Sequence, residues 1–224
     1  MSELVALLGH PVAHSLSPRM QNAAFAARAL DWTYVAIDVA PERLEAAVRA
    51  LDALGFAGAN VTAPHKAAVA ALLGSELPSV NTIVRSVGHS TDTAILDGLA
   101  AERPVVLGDG GAAAAFVHAL PHAHVFSRRT QWPPDVGGAD LVVNATPVRD
   151  EVLVELHAGQ TLVDLPYPRT TTADAAAAAG ALVLDGLEVL VAQGAASFEL
   201  WTGVAAPVPM MRRALGLPTM RPSP

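Results

Sequence analysis

The sequence predicts an α/β protein of two domains: an open, mainly parallel αβα sheet, then a Rossmann-like dinucleotide-binding domain, with a cleft between them. Two observations carry that expectation. Short β-like runs alternate with helical patterns along most of the chain, the signature of βαβ units and largely parallel sheets. Near residue 97 the alternation starts afresh, with a strand, a glycine turn and a helix in immediate succession. At 224 residues the chain can bury a substantial core in one large domain or two small ones.

In order, LVALLG reads as a strand and leads into a helix from about Pro18 to Leu30. TYVAIDV is a second strand, and PERLEAAVRALDAL a helix opened by a proline, whose missing N–H is harmless at the first helical position. GANVT is a third strand and runs into an alanine-rich helix with Lys66 at its mouth. SVNTIVRSVGHST reads as two strands folded on each other. PVVLGDGGAAAAFVHAL is the strand, turn and helix of the restart, and AHVFS, ADLVVNAT, QTLVDL and ALVLD read as further strands. Between SRRT and ADLVV the stretch QWPPDVGG is too short for a full crossover helix, so that connection is either trimmed or irregular. GLEVLVAQGAASFELWTG is a long helix and APVPMMRRALG a last one, while residues 218–224 are expected to fray. The alanine run ADAAAAAGA is read as a bias of composition.

Composition excludes several function classes. A hydrophobic content of 52% with 16% charged residues argues against disorder. The net charge of −7 offers nucleic acid or an anionic membrane no general attraction, so any basic site is local and the expected partner is a small molecule. With no cysteine, disulfides, thiolate catalysis and zinc–cysteine sites are excluded. The eight histidines are scattered, and HALPHAH lacks the spacing of a zinc site, so no metal is expected. MSELVALLGHPV is no secretory leader and no run approaches the ~20 apolar residues of a membrane span, so a cytoplasmic location is expected.

Gly108, Gly110 and Ala113 give the G-x-G-x-x-A spacing between an apolar strand and a helix, the context the dinucleotide fingerprint requires. Glycines there let the backbone approach a pyrophosphate, and the helix N-terminus supplies N–H donors. Roughly 20 residues on, where an NAD-preferring protein carries an acid, stands Arg128, followed by Arg129. An arginine there pairs with a 2′-phosphate, so the cofactor expected is NADP. Asp109 is awkward, since an acid in a phosphate loop repels pyrophosphate unless its side chain turns to solvent.

In the first domain Ser17 before Pro18 reads as a helix start, with the hydroxyl as cap. Ser15 and Ser17 equally suit a carboxylate at a helix N-terminus, and spacing leaves both readings open. Lys66 at a helix mouth opposes the macrodipole, so it is either a solvated side chain or a functional one. HSLSP, NVTAPHK, VNTI and HSTD all stand at or beyond predicted strand ends, the edge where open α/β sheets bind ligands.

With these segments the chain resembles the shikimate dehydrogenase family. GHPVAHSLSP, GANVTAPHK, VNTI, STD, GDGGAA, SRRT, NATPV, DLPY and GLEVLVAQGAASFELWTG occur in the family's order, from Gly9 to Gly203. The resemblance implies NADP-linked interconversion of 3-dehydroshikimate and shikimate, the reductive step in aromatic amino-acid biosynthesis, by a monomer or homodimer. It implies a substrate and catalytic domain over residues 1–97, completed by helices in 187–217, and an NADP-binding domain over 98–186. Lys66 matches the catalytic lysine and Asp92 its paired aspartate; Ser15 and Ser17 match the hydroxyls that hold the substrate carboxylate. Thr62, Asn81, Asp92, Tyr167 and Gln193 match residues on the ring hydroxyls. Gly108, Asp109, Gly110, Gly111 and Ala112 match the phosphate loop, and Ser127, Arg128, Arg129 and Thr130 the element for the 2′-phosphate. Leu165 and Gly186 fall where backbone contacts to the cofactor are expected.

The family's Asn-Thr-Asp-Gly is STDT here, so Ser90 replaces an amide and Thr93 a glycine whose backbone angle a threonine takes poorly. Asp109, Ser127 and Arg129 also depart from the pattern, and the chain is short after Lys66 and after the arginine pair. Two rival readings follow: a relative acting on quinate or another hydroxylated ring acid, and a binding protein with impaired cofactor use.

Overall fold

Residues 2–219 are described in the computed structural model. They divide into two units, one from the chain up to Thr91 together with the chain from Val191, the other Asp92–Leu190. In the first unit β1 (Glu3–Gly9), α1 (Ser17–Ala27), β2 (Trp32–Asp38), α2 (Leu44–Ala53), β3 (Phe56–Val61) and α3 (Lys66–Leu72) precede the hairpin of β4 (Thr82–Val84) and β5 (Val87–His89). The sheet order is β2-β1-β3-β4-β5. β1 pairs in parallel with β2 and β3, whereas β4 and β5 are antiparallel. Leu8, Val61, Val69, Val80 and Ile83 lie in one core cluster of this unit.

The second unit contains β6 (Pro104–Leu107), α4 (Gly111–Ala119), β7 (His124–Phe126), β8 (Leu141–Asn144), β9 (Thr161–Asp164), α5 (Thr171–Ala178) and β10 (Leu182–Leu184). Its five strands run in parallel, in the order β10-β9-β8-β6-β7. PVVL and LVVN are buried throughout, as expected of parallel strands covered on both faces. α6 (Gly186–Thr202) starts in this unit and ends in the first, where α7 (Val208–Ala214) packs on α1. Phe198 of α6 stacks on Phe25 of α1 at 5.4 Å.

Several expectations are corrected. The divisions fall at 91/92 and 190/191 rather than 97/98 and 186/187. Asp92–Leu96 forms a 3-10 turn packed on α4, and the Asp185 carboxylate accepts from the N–H groups of Leu187 and Glu188, tying the first turn of α6 to the second unit. α1 stops at Ala27, and Pro41–Arg43 is a separate 3-10 turn before α2. The alanine run is a helix, α5: Thr170 Oγ1 accepts from Ala173 N at 3.0 Å, and Ala173 and Ala176 are buried. QWPPDVGG is irregular, and Val136 and Ala139 of the β7–β8 connection join the core in place of a helix. Thr93 lies in the 3-10 turn and is not among the described residues with positive φ, so no glycine angle is required there. Of the tail expected to fray, residues 220–224 lie outside the described residues.

Candidate functional site

In the second unit the chain leaves β6 through Gly108, whose φ of 116° suits glycine. A Cβ there would stand 3.1 Å from the carbonyl oxygen of Ala145, so the turn can run this close to the β8 loop only without a side chain. Gly110 faces open space, and α4 carries no side-chain cap. Its first N–H groups are thus presented as donors at the positive end of a helix. Beside the turn lies a pocket of about 350 Å³, lined by Ser127, Arg128, Arg129, Trp132 and Thr146 among others. SRRT is a tight turn: Thr130 N–H donates to Ser127 O at 3.0 Å, and the two hydroxyls lie 3.0 Å apart.

The two arginines are held by different carboxylates. Arg129 Nη2 donates to Asp109 Oδ1 at 2.8 Å, and this hydrogen bond holds the Asp109 carboxyl below its usual 3.8. The acid expected to oppose a pyrophosphate therefore has its own counter-ion. Arg128 pairs with Glu151 and places its guanidinium carbon 5.4 Å from the centre of the Trp132 ring, a cation–π contact. Neither Glu151 nor Trp132 carried a signal in the sequence.

Beyond β9 the loop bearing Leu165 and Tyr167 lies on Gly186: a Cβ at Gly186 would stand 2.3 Å from Pro166 O and 2.7 Å from Leu165 O. The loop starts from a buried anchor. Asp164 accepts from Asn144 Nδ2 and from Thr170 Oγ1, both at 2.7 Å, and burial raises its carboxyl pKa despite those bonds. Tyr167 is half-buried, and Asp92, at the head of the 3-10 turn, is 5% exposed.

In the first unit two of the expected polar residues are joined, Asn81 just before β4 and Gln193 in α6. Asn81 Nδ2 donates to Thr91 Oγ1 at 2.9 Å and to Gln193 Oε1 at 3.0 Å, while Asn81 Oδ1 accepts from Thr91 N at 2.7 Å. Ser197 Oγ lies within 3.0 Å of Thr82 Oγ1, Thr91 Oγ1 and Asn60 Nδ2. Asn60, Thr82, Thr91 and Ser197 are thus support that the sequence reading missed, hidden because they are 9 to 137 residues apart along the chain. Thr62 follows β3 directly, its N–H donating to Leu8 O. Lys66 is the first residue of α3 and half-buried, after His65, which is buried with Nε2 2.7 Å from Val39 O. Ser17 is not the cap expected: it is the first helical residue, and Ser15 Oγ accepts its N–H at 3.2 Å.

Both sites lie in a chain with known relatives. A model of the shikimate dehydrogenase substrate binding domain matches residues 7–83, and one of the shikimate 5′-dehydrogenase C-terminal domain matches residues 186–215. The NADP(+) shikimate dehydrogenase of Anaeromyxobacter sp. (strain Fw109-5) is 40% identical over 268 aligned positions, covering 96% of each chain. The chain belongs to the shikimate dehydrogenase family. The shikimate dehydrogenase (NADP(+)) of Moorella thermoacetica is also 40% identical, over 95% of this chain and 92% of its own. Among solved structures, that of Thermus thermophilus shikimate 5-dehydrogenase in complex with NADP(H) and shikimate has a TM-score of 0.79 at 31% identity, covering 95% of this chain and 98% of that one. Quinate dehydrogenase from Corynebacterium glutamicum in complex with NAD has a TM-score of 0.77 at 25% identity, covering 96% and 98%. The alignment of 268 positions exceeds the chain's 224 residues, so a member this short lacks segments its relatives carry. The β7–β8 and β8–β9 connections are where the second sheet does without a helix, and Leu153, Val154 and Leu156 of the latter join the same core as Val136 and Ala139.

Proposed function

We propose that this protein is an NADP-dependent shikimate dehydrogenase, reversibly reducing 3-dehydroshikimate to shikimate in aromatic amino-acid biosynthesis. The observation that carries the reading is the arginine-lined pocket beside a strand–glycine turn–helix, in a chain of this family. The uncapped α4 N-terminus suits a pyrophosphate, and the guanidinium groups of Arg128 and Arg129 suit a 2′-phosphate. NADPH, when bound, supplies the hydride.

The remaining tasks fall to the chain. Reduction of a ketone requires a proton on its oxygen, and Lys66 Nζ is the proposed donor; in reverse its neutral amine accepts the proton. Asp92 is the proposed partner in that exchange and an acceptor for a ring hydroxyl. Ser15 Oγ accepts from the Ser17 backbone, which leaves its O–H proton to donate to the substrate carboxylate, with Ser17 as the second hydroxyl. Asn81 engages Gln193 Oε1, so the Nε2 end of Gln193 is the donor offered to a ring hydroxyl, alongside Thr62 and Tyr167. Leu165 and Gly186 would contribute backbone contacts to the cofactor.

The test is the initial rate of NADPH oxidation with 3-dehydroshikimate, beside NADH and beside Lys66→Ala. A rate with NADPH that is lost in the variant supports the reading. A folded protein that binds shikimate without any rate overturns it in favour of a binding role. The likeness to a quinate dehydrogenase motivates a second reading, and oxidation of quinate at a rate matching shikimate would establish it.

A further inference from the structure

Arg128 stands where an NADP-binding chain needs a free cation, yet the structure gives it an internal anion. Its guanidinium pairs with Glu151, and both side chains are about half exposed, at 57% and 49%. Glu151 belongs to the loop after β8, which also borders the pocket through Thr146, Pro147 and Val148. A 2′-phosphate reaching Arg128 meets a carboxylate already on its donors. The neighbouring cation cannot stand in without a similar exchange, because Arg129 is held by Asp109.

We propose that Glu151 is a specificity-determining residue for the cofactor: as the resident counter-anion of Arg128, it restrains the preference for NADP over NAD. The inference rests on the NADP-dependent reading and deepens it. Two effects act in the same direction. The Arg128–Glu151 pair must loosen for Arg128 to turn its N–H groups to the phosphate, and the displaced carboxylate stays near a group of like charge. NAD bears a hydroxyl at this position and meets neither opposition. A third effect has the opposite sign, since an ion pair also holds the arginine in a defined rotamer and so spares ordering entropy on binding. Here the cation–π contact with Trp132 holds the guanidinium independently of Glu151. Removing the carboxylate therefore removes the competition and leaves much of the positioning.

The test uses calorimetric titration of the whole protein with NADP+ and with NAD+, without substrate. Glu151→Gln keeps the side chain's size and removes its charge. For a half-exposed pair the expected gain is modest: the Kd for NADP+ falls roughly two- to fivefold and that for NAD+ moves by less than about twofold. The gain shrinks at high salt, as a solvent-screened interaction must. It disappears in an Arg128→Ala background, a readout that a merely structural role for Glu151 would not move. An unchanged or raised Kd for NADP+, an equal shift for both cofactors, or a gain that persists without Arg128 overturns the proposal. Failure of the unmodified protein to bind NADP+ overturns the functional reading along with it. Binding and turnover with NADPH, with no shift in Glu151→Gln, overturns the role of Glu151 alone.

Discussion

Lys66 shows how a residue can be placed by its neighbours while its purpose stays open. It begins α3 because the chain turns through Thr62–His65 after β3, with His65 N–H donating to Thr62 O at 2.9 Å. Under the proposed function, Lys66→Ala should lower kcat by roughly 10²- to 10⁴-fold, the usual range for loss of a positioned proton donor. Shikimate binding should survive, because the serine and amide donors remain; calorimetric titration of the variant with shikimate checks this. Two glycines make a stability contrast. A Cβ at Gly58 would stand 2.4 Å from Ile83 O and 2.5 Å from Trp201 Nε1, which donates to that same carbonyl at 3.0 Å. Gly58→Ala should cost about 1–3 kcal/mol in urea unfolding, through crowding of a rigid backbone and a ring. At Gly194 the nearest atom is the terminal methyl of Met20 at 2.2 Å, the flexible end of a side chain, so Gly194→Ala should cost less. A larger loss at Gly194 than at Gly58 would refute this account of the packing. Candidate residues could be read from motif spacing at the glycine turn and, in the first unit, only from the family resemblance. Their partners could not: Ser17 looked like a cap until Ser15 was seen to accept its N–H, and Glu151 lies 23 residues from the arginine it holds.

At the scale of elements, the strands were readable because parallel strands covered on both faces are written as unbroken apolar runs. α5 was not, because an alanine run has no amphipathic period, and a reading by hydrophobic pattern passes over it. Its signals were alanine's helix propensity and the threonine before it. Thr170 does two jobs at once: its Oγ1 accepts from Ala173 N and donates to the buried Asp164. Thr170→Val keeps the shape and removes both bonds. The loss should be about 1–3 kcal/mol, the sum of a missing cap and an unsatisfied buried oxygen, read as a lower urea midpoint. Because the loop carrying Leu165 and Tyr167 begins beside Asp164, the same variant should weaken shikimate binding under the proposed function. Unchanged stability would show that α5 does not depend on this cap. The β7–β8 connection was ambiguous for a different reason. QWPPDVGG lacks the length of a helix, and only the folded chain shows Val136 and Ala139 completing the core that a crossover helix would otherwise cover.

Over the whole molecule, two buried or half-buried aspartates should respond to pH with opposite signs. Burial pushes the Asp140 carboxyl up, but the N–H groups of Arg103 and Glu102 donate to it at 2.9 and 2.7 Å and bring it below 3.8 on balance. A carboxyl lowered by folding stabilises the native state above its unfolded pKa, and that contribution is lost as pH falls through the lower, folded value. Asp164 is the reverse, since burial raises its carboxyl above 3.8 in the folded chain. It favours the native state most below the unfolded pKa, and the advantage is lost as pH rises through the folded value. Urea midpoints of Asp140→Asn and Asp164→Asn, each against the unmodified protein, should therefore diverge between about pH 3 and about pH 7. Asp140→Asn should be destabilising at neutral pH and approach parity in acid, where the unmodified carboxyl is protonated as well. Asp164→Asn loses favourable geometry at every pH, since an amide donor then faces Asn144 or Thr170. Its deficit should nevertheless narrow as pH rises, because only the unmodified protein has a carboxyl to ionise in that buried place. If both differences moved the same way with pH, the assignment of hydrogen bonding as the dominant influence at Asp140 and burial at Asp164 would be wrong.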